Sequence, residues 1–448
     1  MMTYDQILDA IGTILRDKLD NQHIDAFAPQ ARLNEDLYLD SVLILEIMLA
    51  LELDHGVALP EEVISRQDLD TVDDLARLFV KAPEPSGILV KPAKELVLAR
   101  AEREAAERIG VHGEDFVDIK VHCFVSNVCH AVKQRQLDHR PFFFGVWDAG
   151  FAVDKSWRLA YHASEINHDF FRDWFERLYG AKVRQWYRPG ATKEENLATM
   201  LELLERKKES EYLMVMLDLF HLPERENKFN QNPFPHYLML EHTEDPAVWM
   251  VLDPDFRWEG RIEKQKVINA IMQPTVAGGF IFDAADIRKP SAVDLRDYFL
   301  ACFHEDDNLL TRATREVVRA HLDGRDGVKL AELSTALREL PVISIRKYAL
   351  EHGFAFFWRS LQLSNAEFDT ICDDIEALIQ EFKALHYAIM KLSQTGDEAL
   401  AARVFEKLDV LDAIERSLKR RLAQTYRVWC DTRGFLHAPR HDVEDAVA

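Results

Sequence analysis

Residues 33–62 read LNEDLYLDSVLILEIMLALELDHGVALPEE, and the reading of this stretch decides how the first fifth of the chain is built. From Ser41 onward the apolar residues recur at helical spacing. Leu45, Met48 and Leu49 fall on one face and Glu52 shows the other, and Gly56 ends the run. Ser41 sits where an N-cap serine belongs, with a hydroxyl able to satisfy an orphan N–H of the first turn. Upstream, Ile7, Ile11, Ile14 and Leu15 give residues 3–19 a single apolar face, and a loop with Pro29 follows. Residues 61–65 are expected to form a further short helix. Thr71 opens the last one, with Asp74 three residues on as its capping-box partner. The spacing predicts a four-helix unit over residues 1–80.

Charge is concentrated in that unit. The chain carries a net −22 over 448 residues, and residues 1–80 hold 17 acids against 5 bases. Such a segment repels nucleic acid and anionic membrane and attracts partners with basic patches. Hydrophobic residues are 48% and charged residues 29%, an ordinary globular balance. No apolar run approaches the ~18 residues of a membrane span. The first twenty residues carry acids where a signal peptide would be basic, so a cytoplasmic location is expected. Five cysteines, odd in number and irregularly spaced, argue for reduced thiols. Cys302, Cys372 and Cys430 read as small buried hydrophobes.

The stretch around Ser41, the GVALPEE that follows its helix and the closing DLDTVDDLARLF together resemble the acyl/peptidyl carrier protein family. Val42 stands where that family usually has leucine. The resemblance implies that the Ser41 hydroxyl takes a 4′-phosphopantetheine arm, with Asp40 and Glu46 as contact residues. It also implies a phosphopantetheinyl transferase and an acyl-adenylating ligase as partners. A helix N-terminus suits the anionic phosphodiester of such an arm.

Beyond residue 80 the pattern changes twice. KAPEPSG (81–87) is a linker by composition, and AKELVLARAEREAAERIG (93–110) is a charged helix, so 81–114 reads as a spacer. Residues 115–290 alternate strand-like runs (211–220, 236–243, 248–253, 278–283) with helical stretches at 166–179 and 193–207, an α+β pattern. From 291 the spacing is helical to about 435, giving a helical C-terminal bundle within 291–448 and a frayed tail. The expected protein is multidomain, α and α+β.

DIKVHCFVSNVCHAV (118–132) places Cys123 just before a helical stretch, and helix N-termini stabilise thiolates. A nucleophilic cysteine needs a base, and the base needs an orienting group. His236 opens one strand and Asp253 ends the next, so antiparallel pairing brings them together. Asp255 is the substitute acid. Cys129 is a second candidate nucleophile, deeper in the helix. Cys123, Cys129, His122 and His130 are a possible metal set, but the cysteine spacing does not fit the common zinc patterns, and no metal is expected. Asp218, closing the 211–220 strand, would bind an amine substrate, support His236 or face solvent. Trp147 and Asp148 either line an acyl pocket or serve packing and a turn.

VHCFVSNVCHAV, GVWDAGFAV, VMLDLFHLP, PHYLML and MVLDP, in that order, resemble the amino-terminal domain of the butirosin-biosynthesis acyltransferase family, papain-like relatives of bacteriocin-leader peptidases. The resemblance implies a papain-like (cysteine-peptidase-type) α+β domain in which Cys123, His236 and Asp253 move an acyl group from a carrier to an amine. Papain-like peptidases usually place a glutamine shortly before the cysteine to build the oxyanion hole, and EDFVDIKVH holds none. Three readings follow. The first is an amide-forming acyltransferase taking acyl from Ser41 to a small-molecule amine, as in siderophore or antibiotic assembly. The second is a thioesterase or amidase, and the third a non-catalytic docking scaffold.

Overall fold

The computed structural model describes residues 2–39, 41–57, 69–80, 121–161, 163–222 and 233–435. Asp40, the 61–65 helix, the 81–87 linker, the 93–110 helix and the tail beyond 435 lie outside the described residues, as does the side chain of Ser41. The described part is multidomain, with mixed helix and sheet.

The first unit is helical. Thr3 caps α1 (Tyr4–Thr13) in a capping box with Gln6, and the helix runs on as one wide turn over Ile14–Lys18. Helix α2 (Ser41–His55) begins at Ser41 itself, and α3 (Val72–Val80) starts behind Thr71. Thr71 and Asp74 exchange hydrogen bonds of 2.9 Å and 3.2 Å, the expected reciprocal cap. Ile7, Ile11, Leu15, Leu45, Met48 and Leu75 meet in one buried cluster, so the helical periodicity read from the sequence is the packing face.

The middle of the chain opens with α4 (Cys123–Gln134), a two-stranded ribbon of β1 (Ala152–Val153) and β2 (Leu159–Ala160), and α5 (Phe170–Tyr179). The main sheet collects β3 (Arg184–Gln185), β4 (Glu211–Asp218), β5 (Pro235–His242), β6 (Val248–Asp253), β7 (Trp258–Glu263) and β8 (Gly279–Asp283) in the order β3-β8-β4-β5-β6-β7, all antiparallel. Helices α6 (Lys193–Arg206) and α7 (Lys264–Ile271) complete it. Side chains on a strand alternate between faces. Leu213, Val215, Leu217, Leu238 and Leu240 accordingly pack with Met200, Leu204 and Val267 of α6 and α7. Met214, Met239 and Phe282 join the cluster that contains α4. Strand β7, the edge strand β3 and α7 were not anticipated from sequence: WEGRIE is polar and exposed at alternate positions, so it lacks a strong apolar signature.

The remaining helices are α8 (Ala292–Cys302), α9 (Leu309–Asp323), α10 (Leu333–Ala336), α11 (Leu340–Ser344), α12 (Ala349–Leu361), α13 (Asn365–Thr395) and α14 (Glu398–Thr432). The two long ones form an antiparallel hairpin. Gly396, at φ +65°, supplies the left-handed residue that ends α13.

This bundle shares a core with the α/β unit. Phe142, Phe144 and Trp147 interleave with Tyr298, Phe299, Phe354 and Phe357 in one apolar cluster. A side chain on Gly353 would lie 2.8 Å from the Trp147 ring, so α12 needs glycine there to approach. A buried ionic cluster adds direction. Lys347 bridges Asp148 and Glu415 at 2.6 Å each, and Lys419 reaches Asp148 at 2.8 Å. The amino-terminal unit rests on α13, where Tyr387 and Met390 enter its core and Glu52 accepts hydrogen bonds from Tyr387 (2.7 Å) and Lys391 (2.6 Å).

Candidate active site

Cys123 is the first residue of α4, and His122 is its N-cap, with Nδ1 accepting from the Val125 N–H at 3.4 Å. The helix end is fixed by Asp255. One oxygen of this buried carboxylate accepts from the backbone N–H of Val121 (3.2 Å) and of His122 (3.1 Å) and from the Ser126 hydroxyl (2.6 Å). Asn127 ties the same helix to the sheet, donating to the carbonyls of Cys123 (2.8 Å) and Tyr237 (2.9 Å). The helix start that carries the half-buried thiol is therefore held from both sides by hydrogen bonds.

The imidazole comes from the sheet. Leu252 faces Met239 across the β5–β6 pair, so Asp253 falls one step further on, diagonal to His236 on the same face. The imidazole Nε2 and Asp253 Oδ1 are 2.9 Å apart, with His236 2% exposed and Asp253 fully buried. Burial alone would hold the imidazole below its ordinary value. The Asp253 charge and hydrogen bond outweigh it, the Cys123 thiol hydrogen-bonds to the ring as well, and His236 is pushed up to about 10. Phe234 and Phe256 wall the ring at 5.9 Å and 5.3 Å. Thiol, imidazole and carboxylate thus form a contiguous row, able to hold a thiolate–imidazolium pair and shuttle a proton.

Other sequence-derived candidates take different places. Asp255, named as the substitute acid, secures the helix that carries Cys123 instead, because its oxygen is committed to three donors. Asp218 neither faces solvent nor touches His236. It is 1% exposed and organises the strand crossover by accepting from the N–H groups of Phe220 and Phe234 and from the Thr275 hydroxyl. Asp148 reaches the cavity wall, but its carboxylate is spent on Lys347 and Lys419, whose charges hold it below the usual carboxylate value against a large burial cost. Trp147 is 2% exposed in the aromatic core. Cys129 is buried, with its thiol 3.8 Å from the His139 carbonyl. Cys302 is pushed well up by burial, and Cys372 is buried. His130 stacks edge-on with Tyr212. Among the described residues no cluster of His, Cys, Asp or Glu could hold a metal ion, and no helix is long and apolar enough to cross a membrane.

The row opens onto a cavity of about 590 Å³ between the α/β unit and the bundle. Its wall includes Tyr161, Tyr237, Phe171 and Phe280 from the α/β side and Val342 and Arg346 from the bundle. Tyr161 and Tyr237 are both pushed up by burial and by the neighbouring Cys123. Sequence reasoning missed Asn127, the true role of Asp255 and Arg346. The first two were recoverable from their proximity to the motifs, whereas Arg346 lies more than ninety residues beyond the last of them with no local signature.

Ser41 occupies the first turn of a fifteen-residue helix, a position whose free N–H groups suit an attached phosphodiester. Glu46 is exposed on the same helix.

A buried cysteine–histidine–aspartate row at the junction of an antiparallel α/β unit and a helical bundle defines the class, and the chain belongs to the DUF6005 family. Residues 118–287 match the DUF6005 N-terminal domain and residues 293–442 the DUF6005 C-terminal domain. The chain is 41% identical over 312 residues to petrobactin synthase of Bacillus anthracis, covering 69% of this chain and 95% of that protein. It is also 28% identical over 74 residues to the acyl carrier protein AsbD of the same organism, covering 16% of this chain and 81% of that protein.

Proposed function

We propose that this protein is a carrier-fused acyltransferase of siderophore biosynthesis, which moves an acyl group from a carrier thioester at Ser41, through Cys123, to an amine. The observation that carries the reading is the row of Cys123, His236 and Asp253 opening onto one cavity. Similarity to petrobactin synthase over most of that protein's length supports the pathway. Similarity to an acyl carrier protein over about the length of one such unit supports the donor. The α+β unit is read as papain-like on the order of helix-borne thiol, strand-borne histidine and acid. The amino-terminal helices are read as the carrier.

When attached to Ser41, a 4′-phosphopantetheine arm would supply the thiol that holds the acyl group as a thioester. Cys123 Sγ attacks the thioester carbonyl carbon and forms a new carbon–sulfur bond. The imidazolium of His236 gives its proton to the departing thiolate, leaving an acyl-Cys123 thioester and a neutral imidazole. Exchange between two thioesters is close to isoenergetic, so little driving force is needed. His236 then takes a proton from the amine as its nitrogen attacks the acyl carbon. The carbon–sulfur bond to Cys123 breaks, and the amide leaves with the thiolate–imidazolium pair restored. Asp253 keeps the imidazole oriented and favours its charged form before and after the transfer. The backbone N–H of Cys123, at the helix start, is one donor to the transient oxyanion. Fusion of carrier and catalyst raises the effective concentration of the donor.

Intact-mass measurement on the phosphopantetheinylated, acyl-loaded protein tests this reading. Acyl is expected to leave Ser41 only when an amine is added, with amide as product and with Cys123→Ala inert although still loaded at Ser41. Free acid as the main product in the presence of amine would make the protein a hydrolase. Transfer by Cys123→Ala at the wild-type rate would refute the mechanism.

A further inference from the structure

The turn Ile345–Tyr348, between α11 and α12, sends successive side chains in different directions. Lys347 points into the core and is neutralised by Asp148 and Glu415. Arg346 points into the cavity beside Cys123 and is only 7% exposed. Its guanidinium lies over the Tyr161 ring, 5.3 Å from the centroid. That contact engages the face of the ring and is not itself a hydrogen bond. Among the described residues no carboxylate pairs with it and no carbonyl accepts from it. Tyr161 and Cys123 act most on its charge, and the two carboxylates that follow are engaged elsewhere: Asp255 with its three donors, and Glu339 with the N–H of Tyr161 at 2.9 Å.

Burial pulls Arg346 below its ordinary value, and the groups that offset this, Tyr161, Cys123, Asp255 and Glu339, act on its charge without a hydrogen bond to it. Such a charge persists where a bound anion completes it, and the planar fork of arginine matches a carboxylate with two parallel hydrogen bonds. The phosphodiester of a carrier arm is not that anion, because it stays at Ser41 while the distal thiol end reaches Cys123. The other cavity-wall carboxylates leave little for a cation to bind. Asp148 is held by two lysines, and Asp169 is paired with Arg172.

We infer that Arg346, contributed by the helical bundle, is a carboxylate-binding residue of the active-site cavity, and that one of the two small-molecule groups handled there, acyl or amine, bears a carboxylate. The inference rests on the reading of this cavity as the substrate site. It makes the bundle a specificity element.

The test uses the full-length protein and the alkylation of Cys123 by iodoacetamide, read by intact mass and peptide mapping. Succinate and benzoate serve as probes, with succinamide and benzamide as uncharged controls. The acids are expected to slow alkylation several-fold at millimolar concentration and the amides to leave it unchanged. Arg346→Gln should lose the protection, and Arg346→Lys should keep part of it. Equal protection by acids and amides, no protection by either acid, or full protection in Arg346→Gln would overturn the inference. The comparison of acid with amide on the wild-type protein needs no variant to fold.

A second arm locates the carboxylate within the transfer assay. If it belongs to the amine, Arg346→Gln raises KM for a carboxylated amine and leaves its amide analogue unaffected. If it belongs to the acyl group, the same contrast appears between acyl donors. A uniform fall in kcat for all donors and amines would assign Arg346 to the oxyanion and overturn the inference. Alkylation protection requires no acyl transfer. Absence of transfer with protection intact therefore sinks the proposed reaction alone, and loss of protection with transfer intact sinks this inference alone.

Discussion

Replacing Asp253 by asparagine keeps the size of the side chain and removes the charge behind His236. In the folded protein the imidazole stands at about 10 against an ordinary 6.5, which corresponds to about 5 kcal/mol in favour of the imidazolium. A histidine raised in this way contributes stability that is fully present below pH 6.5 and is lost as the pH climbs through about 10. Across that window wild-type stability should fall, relative to the variant, by about 1.4 kcal/mol per pH unit. In Asp253→Asn, burial remains and its counter-charge is gone, so the imidazole turns neutral near pH 7. The variant is expected to be about 3–5 kcal/mol less stable at pH 6.5, the usual cost of breaking a buried pair. The gap should close to within about 1 kcal/mol of zero near pH 10. Urea titrations at pH 6.5, 8 and 9.5 measure it. Iodoacetamide labelling of Cys123 at pH 7 should slow about tenfold or more, since the imidazolium partner of the thiolate is lost. A stability gap that stays constant from pH 6.5 to 9.5 would refute the assignment of that charge pair.

Three further substitutions follow from the same geometry. Asp255→Leu strips the acceptor from two backbone N–H groups and a hydroxyl at the start of α4, at about 1–3 kcal/mol for each group left buried and unsatisfied. Hydrogen exchange at residues 121–126 should quicken and acyl transfer should fall, and unchanged exchange would count against the anchoring role. Asp148→Ala leaves Lys347 and Lys419 sharing Glu415 alone in a closed core, and about 3–5 kcal/mol of stability should disappear in denaturant titrations. Lys391→Glu opposes Glu52 across the seat of the amino-terminal unit. With both partners partly exposed the effect is about 1 kcal/mol, or roughly fivefold in transfer from the attached carrier. A free small-molecule thioester should react as before, and Glu52→Lys combined with Lys391→Glu should recover the rate.

What the sequence by itself determined lies in local pattern. The apolar spacing of Ile7, Ile11 and Leu45, the Thr71–Asp74 cap and the strand runs ending at Asp218 and Asp253 are all short-range signals, and they persist because helices and strands impose their period on the residues they bury. The neighbourhood of Cys123, His236 and Asp253 was legible too, since a helix start and two consecutive antiparallel strands leave few other places for them. Strand β7 was not legible, because its alternation is polar against exposed. The tertiary structure alone decided which aspartate serves which partner. Asp253 and Asp255 are two residues apart in near-identical sequence context. One meets an imidazole and the other the open N-terminus of a helix, a choice set by sheet register and helix placement. It also decided the placing of Arg346 and Lys347, adjacent cations of equal appearance in the sequence. The turn directs one into a nest of carboxylates and the other over the Tyr161 ring, into the cavity beside the thiol. Long-range juxtaposition of charge depends on where the α/β unit and the helical bundle close on one another, and no window of sequence contains that information.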